Sequence, residues 1–172
     1  KWILGTIELE TKPTYAPMKN QIHEYLTEAV KEELVSDVPI SIFLSGGIDS
    51  SIIAALAVEQ SRNDVETFTI GFEDKSLDET KFSNEIAKKI GTNHKLINFD
   101  SEDFKDLSSR AFKNLDIPLG DSSFIPTFLL CEKVSKYYKC ALSGDGGDEL
   151  FGGYPTYRAH KFLSVYERFI PQ

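Results

Sequence analysis

The sequence is poor in the residues that staple small folds or hold transition metals. Its 172 residues include two cysteines, Cys131 and Cys140, and three histidines, His23, His94 and His160. Neither set shows ligand spacing, which argues against a disulfide scaffold and against a zinc centre. The two thiols are expected to be reduced and partly buried, as in a cytoplasmic protein. Positive charge is also scarce: 19 Lys and Arg stand against 27 Asp and Glu, for a formal net charge of -8. Binding to a nucleic-acid backbone needs clustered cations, and Lys88-Lys89 is too small a cluster, so no nucleic-acid partner is expected. No apolar run nears the roughly 20 residues that span a bilayer, and Lys1-Trp2-Ile3 opens no signal peptide, so no membrane partner is expected either. There is no initiator methionine, no internal repeat and no low-complexity segment, and the chain reads as part of something longer.

What is present is core material in an alternating pattern. The chain is 41% hydrophobic, enough for one core, and residues 18–172 are expected to form one partial domain after a lead-in over 1–17. The lead-in holds a strand remnant around Ile3, Ile7 and Leu9. Met18, Ile22, Tyr25, Leu26, Ala29 and Val30 recur at helical spacing, which predicts a helix over 18–36 with those residues on its apolar face. Ile40–Leu44 is a continuous apolar run, as in a strand covered on both sides. Further helices are predicted over 50–60, 78–90, 102–114, 122–138 and 157–169. Further strands are predicted over 66–72, 94–99 and 139–142, the last short and central. Asp78 and Glu79 read as N-terminal helix residues, Gly91 as a helix stop, and Ser122 or Ser123 as a cap with Pro126 in the first turn. Strands separated by helices predict an α/β fold: a mostly parallel sheet with helices on both faces. Ligands of such sheets collect at the carboxyl ends of strands, near a switch in strand order.

Two glycine-rich turns follow strands in this pattern. The first runs Ile42-Phe43-Leu44-Ser45-Gly46-Gly47-Ile48-Asp49-Ser50-Ser51. It offers a nest of backbone N–H groups at a helix N-terminus, which suits a phosphate or pyrophosphate. Gly46 and Gly47 permit positive φ and close approach of a ligand, and Ser45, Ser50 and Ser51 add hydroxyl donors. The turn has neither the lysine of a P-loop nor the spacing of a dinucleotide fingerprint. Asp49 inside the nest would repel phosphate unless a cation lay between them, so the motif implies magnesium together with a nucleotide. A plain capped strand–helix turn is the alternative. The second turn, Leu142-Ser143-Gly144-Asp145-Gly146-Gly147-Asp148-Glu149-Leu150-Phe151-Gly152-Gly153-Tyr154, crowds three carboxylates among five glycines. Carboxylates this close need a cation, a shared proton or a cationic substrate. Magnesium takes oxygen ligands, so Asp49 and Asp148 could share one ion if the loops meet, leaving Asp145 to orient reacting groups. A solvent-facing acidic turn is the alternative there.

Ser45-Gly46-Gly47-Ile48-Asp49-Ser50 resembles the pyrophosphate-binding loop of the ATP pyrophosphatases. The stretch from Leu34 through Pro39 to Ser51, the whole second turn, and Thr67–Phe72 resemble the asparagine synthetase branch. The resemblance implies an adenine nucleotide alpha-hydrolase-like fold and a ligase that uses ATP and Mg2+. In such a ligase an acceptor carboxylate, that of aspartate, attacks the α-phosphorus and releases pyrophosphate, and ammonia then displaces AMP. By the same resemblance Asp49 and Asp148 take the magnesium positions, Leu44 and Ile70 contact adenosine, and Ser143 and Gly144 lie against the nucleotide. Asp145 occupies a position that helps the second step, where some members carry glutamate. The segment 116–127 resembles one near the acceptor pocket, which puts Asp121 and Ser122 beside an amino group; helix capping without ligand contact is the alternative. Arg158 is a further phosphate candidate, whereas His94 and Tyr157 read as structural.

Members of the family place a glutaminase domain, with a nucleophilic N-terminal cysteine, before this region. They also carry a lysine on a later segment, near the reacting carboxylate. Lys1 opens this chain, Gln172 closes it, and neither Cys131 nor Cys140 matches the nucleophile. The expectation is the ATP-binding part of a glutamine-dependent asparagine synthetase, with weak or absent synthesis by itself and a tendency to self-associate. A β-lactam-synthetase-like ligase with another acceptor, and a non-catalytic nucleotide-binding domain, are the alternatives.

Overall fold

The computed structural model of the chain describes residues 15–61, 64–100, 104–117, 119–121, 123–157 and 159. The predicted strand remnant, most of the lead-in and the 157–169 helix beyond residue 159 lie outside them. Four strands, β1 (Ile40–Phe43), β2 (Glu66–Phe72), β3 (Asn93–Phe99) and β4 (Cys140–Leu142), form one sheet in the order β3-β2-β1-β4. Every pairing is parallel, with Phe43 opposite Phe68, Thr69 opposite Leu96 and Ile42 opposite Leu142. Six helices are described: α1 (Tyr15–Glu33), α2 (Ile48–Gln60), α3 (Thr80–Ile90), α4 (Phe104–Lys113), α5 (Phe124–Val134) and α6 (Gly147–Phe151).

The alternation of side chains along β1 distributes the core to both faces. Ile42 and Leu44 are buried with Val30, Leu56 and Ala87 under α1, α2 and α3. Phe43 points the other way, to Phe68, Leu130 and Val134 under α5. Strand β1 is the best-covered part of the sheet, since Ser41 and Leu44 are 0% exposed and Ile42 is 1% exposed. The α/β architecture with helices on both faces is therefore as the apolar patterning predicts. Chain order and strand order part company at β1: β2 pairs with one of its edges and β4 with the other. That is the switch point, and the loops after β1 and β4 open on it.

Several details differ from the sequence reading. β4 pairs only with β1 among the described residues and is an edge strand, not a central one; its Cys140 and Ala141 are exposed. Both cysteines are free and exposed rather than partly buried. Helix α1 starts at Tyr15, because Pro17 fits a first turn whose amides have no intrahelical partner anyway. Its predicted apolar face is buried only toward the end: Val30 is covered and Ile22 and Leu26 half-covered, while Met18, Tyr25 and Ala29 are exposed. Helix α1 packs chiefly on α2, and Leu26 and Val30 join the core there. Helix α5 ends at Val134 rather than at 138, and the amides of Tyr137 and Tyr138 fold back on the Val134 carbonyl to turn the chain into β4. Gly91 closes α3 in the left-handed conformation at φ 81°, as expected.

Candidate functional site

The loop after β1 is built by serine hydroxyls that bond the backbone to itself. Ser50 is buried, and its Oγ accepts the Ser45 N–H at 3.2 Å, lies 2.9 Å from Ser45 Oγ and donates to the Gly47 carbonyl at 3.3 Å. The Gly47 N–H donates to Ser45 Oγ at 3.2 Å, and the Ser51 hydroxyl donates back to the Gly47 carbonyl at 2.5 Å. The first helical bond of α2 runs from the Ser51 N–H to the Gly47 carbonyl at 3.2 Å. The amides of Ile48, Asp49 and Ser50 thus precede the hydrogen-bonded ladder, and Gly47 at the N-cap supplies no side chain to satisfy them. Unsatisfied amides at the positive end of a helix are donors for an anion.

The loop after β4 lies directly on this N-terminus. A methyl group at Gly144 would come 2.5 Å from the Ser50 amide nitrogen and 2.9 Å from the Asp49 carbonyl carbon. At Gly147 it would run into the Asp49 carboxyl group, with Oδ2 at 2.7 Å. The Asp49 side chain therefore rests against the α-carbon that immediately precedes Asp148. Asp148 stands in the first turn of α6 and turns its carboxylate against Gly153. Glycine at 144 and 147 is a requirement of close approach between the loops. The short helix α6 stands where the sequence predicts only a turn; five residues behind a left-handed Gly146 give no periodic signal.

Around these loops lies a cleft of about 830 Å³ at the carboxyl ends of β1, β2 and β4. Of the residues singled out from the sequence, Leu44, Ser45, Gly47, Asp49, Ser50, Ile70, Ser143, Gly144, Asp145 and Asp148 all line it. Gly46 and Ser51 stand just behind the wall, Gly46 against α3 and Ser51 bonded to Gly47. Leu44 is 0% exposed and forms the floor, with its N–H bonded to the Phe68 carbonyl at 2.8 Å. Asp145 is exposed at the rim, and its N–H donates to Ser143 Oγ at 3.3 Å. An apolar wall escaped the sequence reading: Phe43 and Phe68 from the sheet, Thr127 and Leu130 from α5, and Phe151 from α6. The i,i+3 spacing of Thr127 and Leu130 was the available signal.

Asp121 does not line the cleft, and Ser122 lies outside the described residues. Asp121 Oδ1 accepts both the Ser123 N–H at 2.8 Å and the Ser123 hydroxyl at 2.7 Å. Ser123 at the N-cap makes no side-chain cap itself, so the expected roles are exchanged: Asp121 organises the turn and Ser123 donates. Those two bonds, the backbone one first, hold the Asp121 carboxyl below the ordinary 3.8. Glu149 accepts the Tyr154 hydroxyl at 2.7 Å, and the nearby carboxylates push that phenol up to about 12. Tyr157 packs its ring on Tyr154, with centroids 5.8 Å apart, in keeping with a structural role. Arg158 lies outside the described residues.

A family model described as asparagine synthase matches residues 21–171. The chain is 40% identical over 152 residues to a putative glutamine-hydrolyzing asparagine synthetase 2 of Methanocaldococcus jannaschii, covering 84% of this chain and 29% of that protein. It is 34% identical over 148 residues to the glutamine-hydrolyzing asparagine synthetase 1 of Bacillus subtilis, covering 86% of this chain and 23% of that protein. The chain thus spans less than a third of the length of these curated relatives. Among solved structures, the glutamine-dependent NAD+ synthetase of Acinetobacter baumannii in complex with ADP superposes with a TM-score of 0.58 at 22% identity, over 85% of this chain and 29% of that one. That likeness concerns the fold, a parallel sheet flanked by helices with the adenine nucleotide alpha-hydrolase-like arrangement.

Proposed function

The chain belongs to the asparagine synthase family, and from that premise we propose that it is the ATP-binding part of a glutamine-dependent asparagine synthetase. The overall reaction in this reading adenylates the side-chain carboxylate of aspartate, releases pyrophosphate, and lets ammonia derived from glutamine displace AMP. The observation that carries it is the seating of the Asp49 carboxyl group against Gly147, one residue from Asp148, at an uncapped helix N-terminus.

Each residue contributes by binding or orientation. The amides of Ile48, Asp49 and Ser50 receive phosphate oxygens, and the Ser45 hydroxyl at the exposed mouth would add a donor on turning away from Ser50 Oγ. Ser50 acts from beneath, by holding the loop in shape. Leu44, Ile70 and the apolar wall at Phe68 and Leu130 receive the adenosine. Ser143 and Gly144 border the nucleotide on the other side, and Asp145 at the rim orients the reacting groups of the second step. The second oxygen of Asp121, which takes no part in the bonds to Ser123, is assigned with Ser122 to the amino group of the acceptor.

The donor set fits magnesium. Asp49 and Asp148 give hard carboxylate oxygens in a cleft whose remaining ligands would be phosphate oxygens and water, the pattern usual for this ion. When bound, magnesium neutralises charge on the departing pyrophosphate. The glycines at 144 and 147 let the second loop lie against Asp49 and Ser50, which keeps Asp148 one residue from the seat of the Asp49 carboxyl group.

ATP–pyrophosphate exchange tests the reading. Aspartate is expected to support exchange, and other amino-acid carboxylates are not. Exchange driven by a different carboxylic acid would assign another acceptor to the same site, and ATP binding without any exchange would mark a nucleotide-binding domain without the ligase step.

A further inference from the structure

We propose that Asp78 is a positioning residue for the phosphate-binding loop, acting through the first turn of α3. The inference rests on the reading of residues 45–51 as that loop. Gly46 has φ 92°, in the left-handed region, and a methyl group there would lie 2.8 Å from the Ser83 amide nitrogen and 2.9 Å from Phe82 Cβ. The glycine turn is therefore laid directly on α3. A shift of the first turn of α3 would therefore press on the glycine turn or withdraw its support.

Asp78 sets the place of that turn. Its Oδ1 accepts the N–H of Phe72, the last residue of β2, at 3.4 Å and the N–H of Thr80, the first residue of α3, at 3.3 Å. Its Oδ2 accepts the Thr80 hydroxyl at 2.8 Å. One carboxylate thus joins the end of β2 to the start of α3, whose N-cap residue Glu79 makes no side-chain cap. Ser83 is fully buried; its N–H donates to the Glu79 carbonyl at 3.1 Å and its hydroxyl to the Thr80 carbonyl at 3.1 Å. The amide that meets Gly46 is thus bonded to the residue next to Asp78. The Thr80 hydroxyl holds the Asp78 carboxyl below the ordinary 3.8, which keeps it ionised as an acceptor.

Asp78 does not line the nucleotide cleft. It borders a separate hollow of about 200 Å³ with Gly71, Leu96 and Asn98. Its effect on ligand must pass through α3 and Gly46 to the amides of Ile48, Asp49 and Ser50.

The test uses the whole chain and two probes, magnesium pyrophosphate and adenosine, each titrated by calorimetry. Hydrogen exchange of the Ser51 amide in the ligand-free protein is a third readout, because that amide closes the loop on Gly47 at 3.2 Å. Asp78→Ala is expected to weaken pyrophosphate by about tenfold, leave adenosine within about twofold, and speed Ser51 exchange. Asp78→Asn keeps an oxygen acceptor and is expected to retain pyrophosphate affinity within about threefold. Thr80→Val removes one of the three bonds and gives a smaller loss in the same direction, should Asp78→Ala not fold. Equal weakening of both probes, or unchanged pyrophosphate binding with unchanged Ser51 exchange, would overturn the role of Asp78. A wild-type chain that binds neither pyrophosphate nor ATP would overturn the reading of the loop instead, and the exchange rates would still decide whether Asp78 braces it.

Discussion

The loops after β1 and β4 are both glycine-rich, both follow parallel strands and both open a helix, yet they are held in different ways. The first is fastened from within: Ser50 is buried and bonded to Ser45 and Gly47, and Gly46 is seated on α3. It leads into a helix of 13 residues with four of them buried. The second leads into a helix of five residues that buries none, and its side-chain ties among the described residues are the exposed Tyr154–Glu149 bond and the 3.3 Å bond from the Asp145 N–H to Ser143 Oγ. Its position depends on the glycines that let it lie against the first loop. The difference separates two tasks. In the proposed function, backbone donors for an anion need fixed directions, which the first loop would supply; carboxylates that meet a cation would gain their order from that cation, which an exposed arm permits.

The largest test of this contrast is the contact between the loops. Gly144→Ala would put a methyl group 2.5 Å from the Ser50 amide nitrogen. We expect ATP affinity to fall by about 100-fold, with a stability loss of about 1–3 kcal/mol, measured by calorimetry and thermal unfolding. Unchanged affinity would mean that the two loops act separately.

Next in size is the internal fastening. Ser50→Ala removes a buried hydroxyl and leaves the Ser45 N–H and Gly47 carbonyl without it, so a loss of about 1–3 kcal/mol is expected in denaturant unfolding. Ser143→Ala in the second loop removes only a 3.3 Å acceptor for Asp145 and is expected to cost about 0.5 kcal/mol or less. Equal losses at the two serines would erase the distinction.

Titration gives a finer view, and the signs are opposite. On the edge strand β3, away from both loops, His94 Nδ1 lies 2.8 Å from Thr67 Oγ1, while Nε2 is buried without a hydrogen-bond partner among the described residues. Burial lowers this imidazole from its ordinary 6.5. The unfolded chain then binds more protons, so stability should fall as pH drops below about 6.5, and His94→Gln should flatten that slope. In the second loop Tyr154 is pushed up to about 12 by Glu149. Its folded-state value is raised, so the bond holds below 10 and is lost as pH climbs through about 12. Absorbance titration should show the high midpoint, and Glu149→Gln should bring it back toward 10 with little change in unfolding temperature.

The parts of this site that were legible in the sequence are those fixed by local chemistry. A continuous apolar run at Ile40–Leu44 followed by two glycines and a helix start can be read without a structure, and so can the crowding of Asp145, Asp148 and Glu149 among glycines. What was not legible depends on distant packing. The exposure of Tyr25 depends on which part of the α1 surface the tertiary packing covers, and the edge position of β4 follows from which strands pair. The exchange of roles between Asp121 and Ser123 turns on one loop conformation that either residue type allows. The i,i+3 spacing of Thr127 and Leu130 marks a shared face of α5, but that this face meets β2 at the cleft depends on tertiary packing.

The central claim is that the two loops make one site for a nucleotide tail and its cation. Calorimetric titration of ATP, with and without magnesium, on the wild-type chain and on Asp49→Ala, Asp148→Ala and the double variant, addresses it most directly. The account predicts magnesium-dependent binding in the wild type, loss of that dependence in either single variant, and no further loss in the double. Additive losses, or magnesium dependence that survives Asp49→Ala, would contradict it.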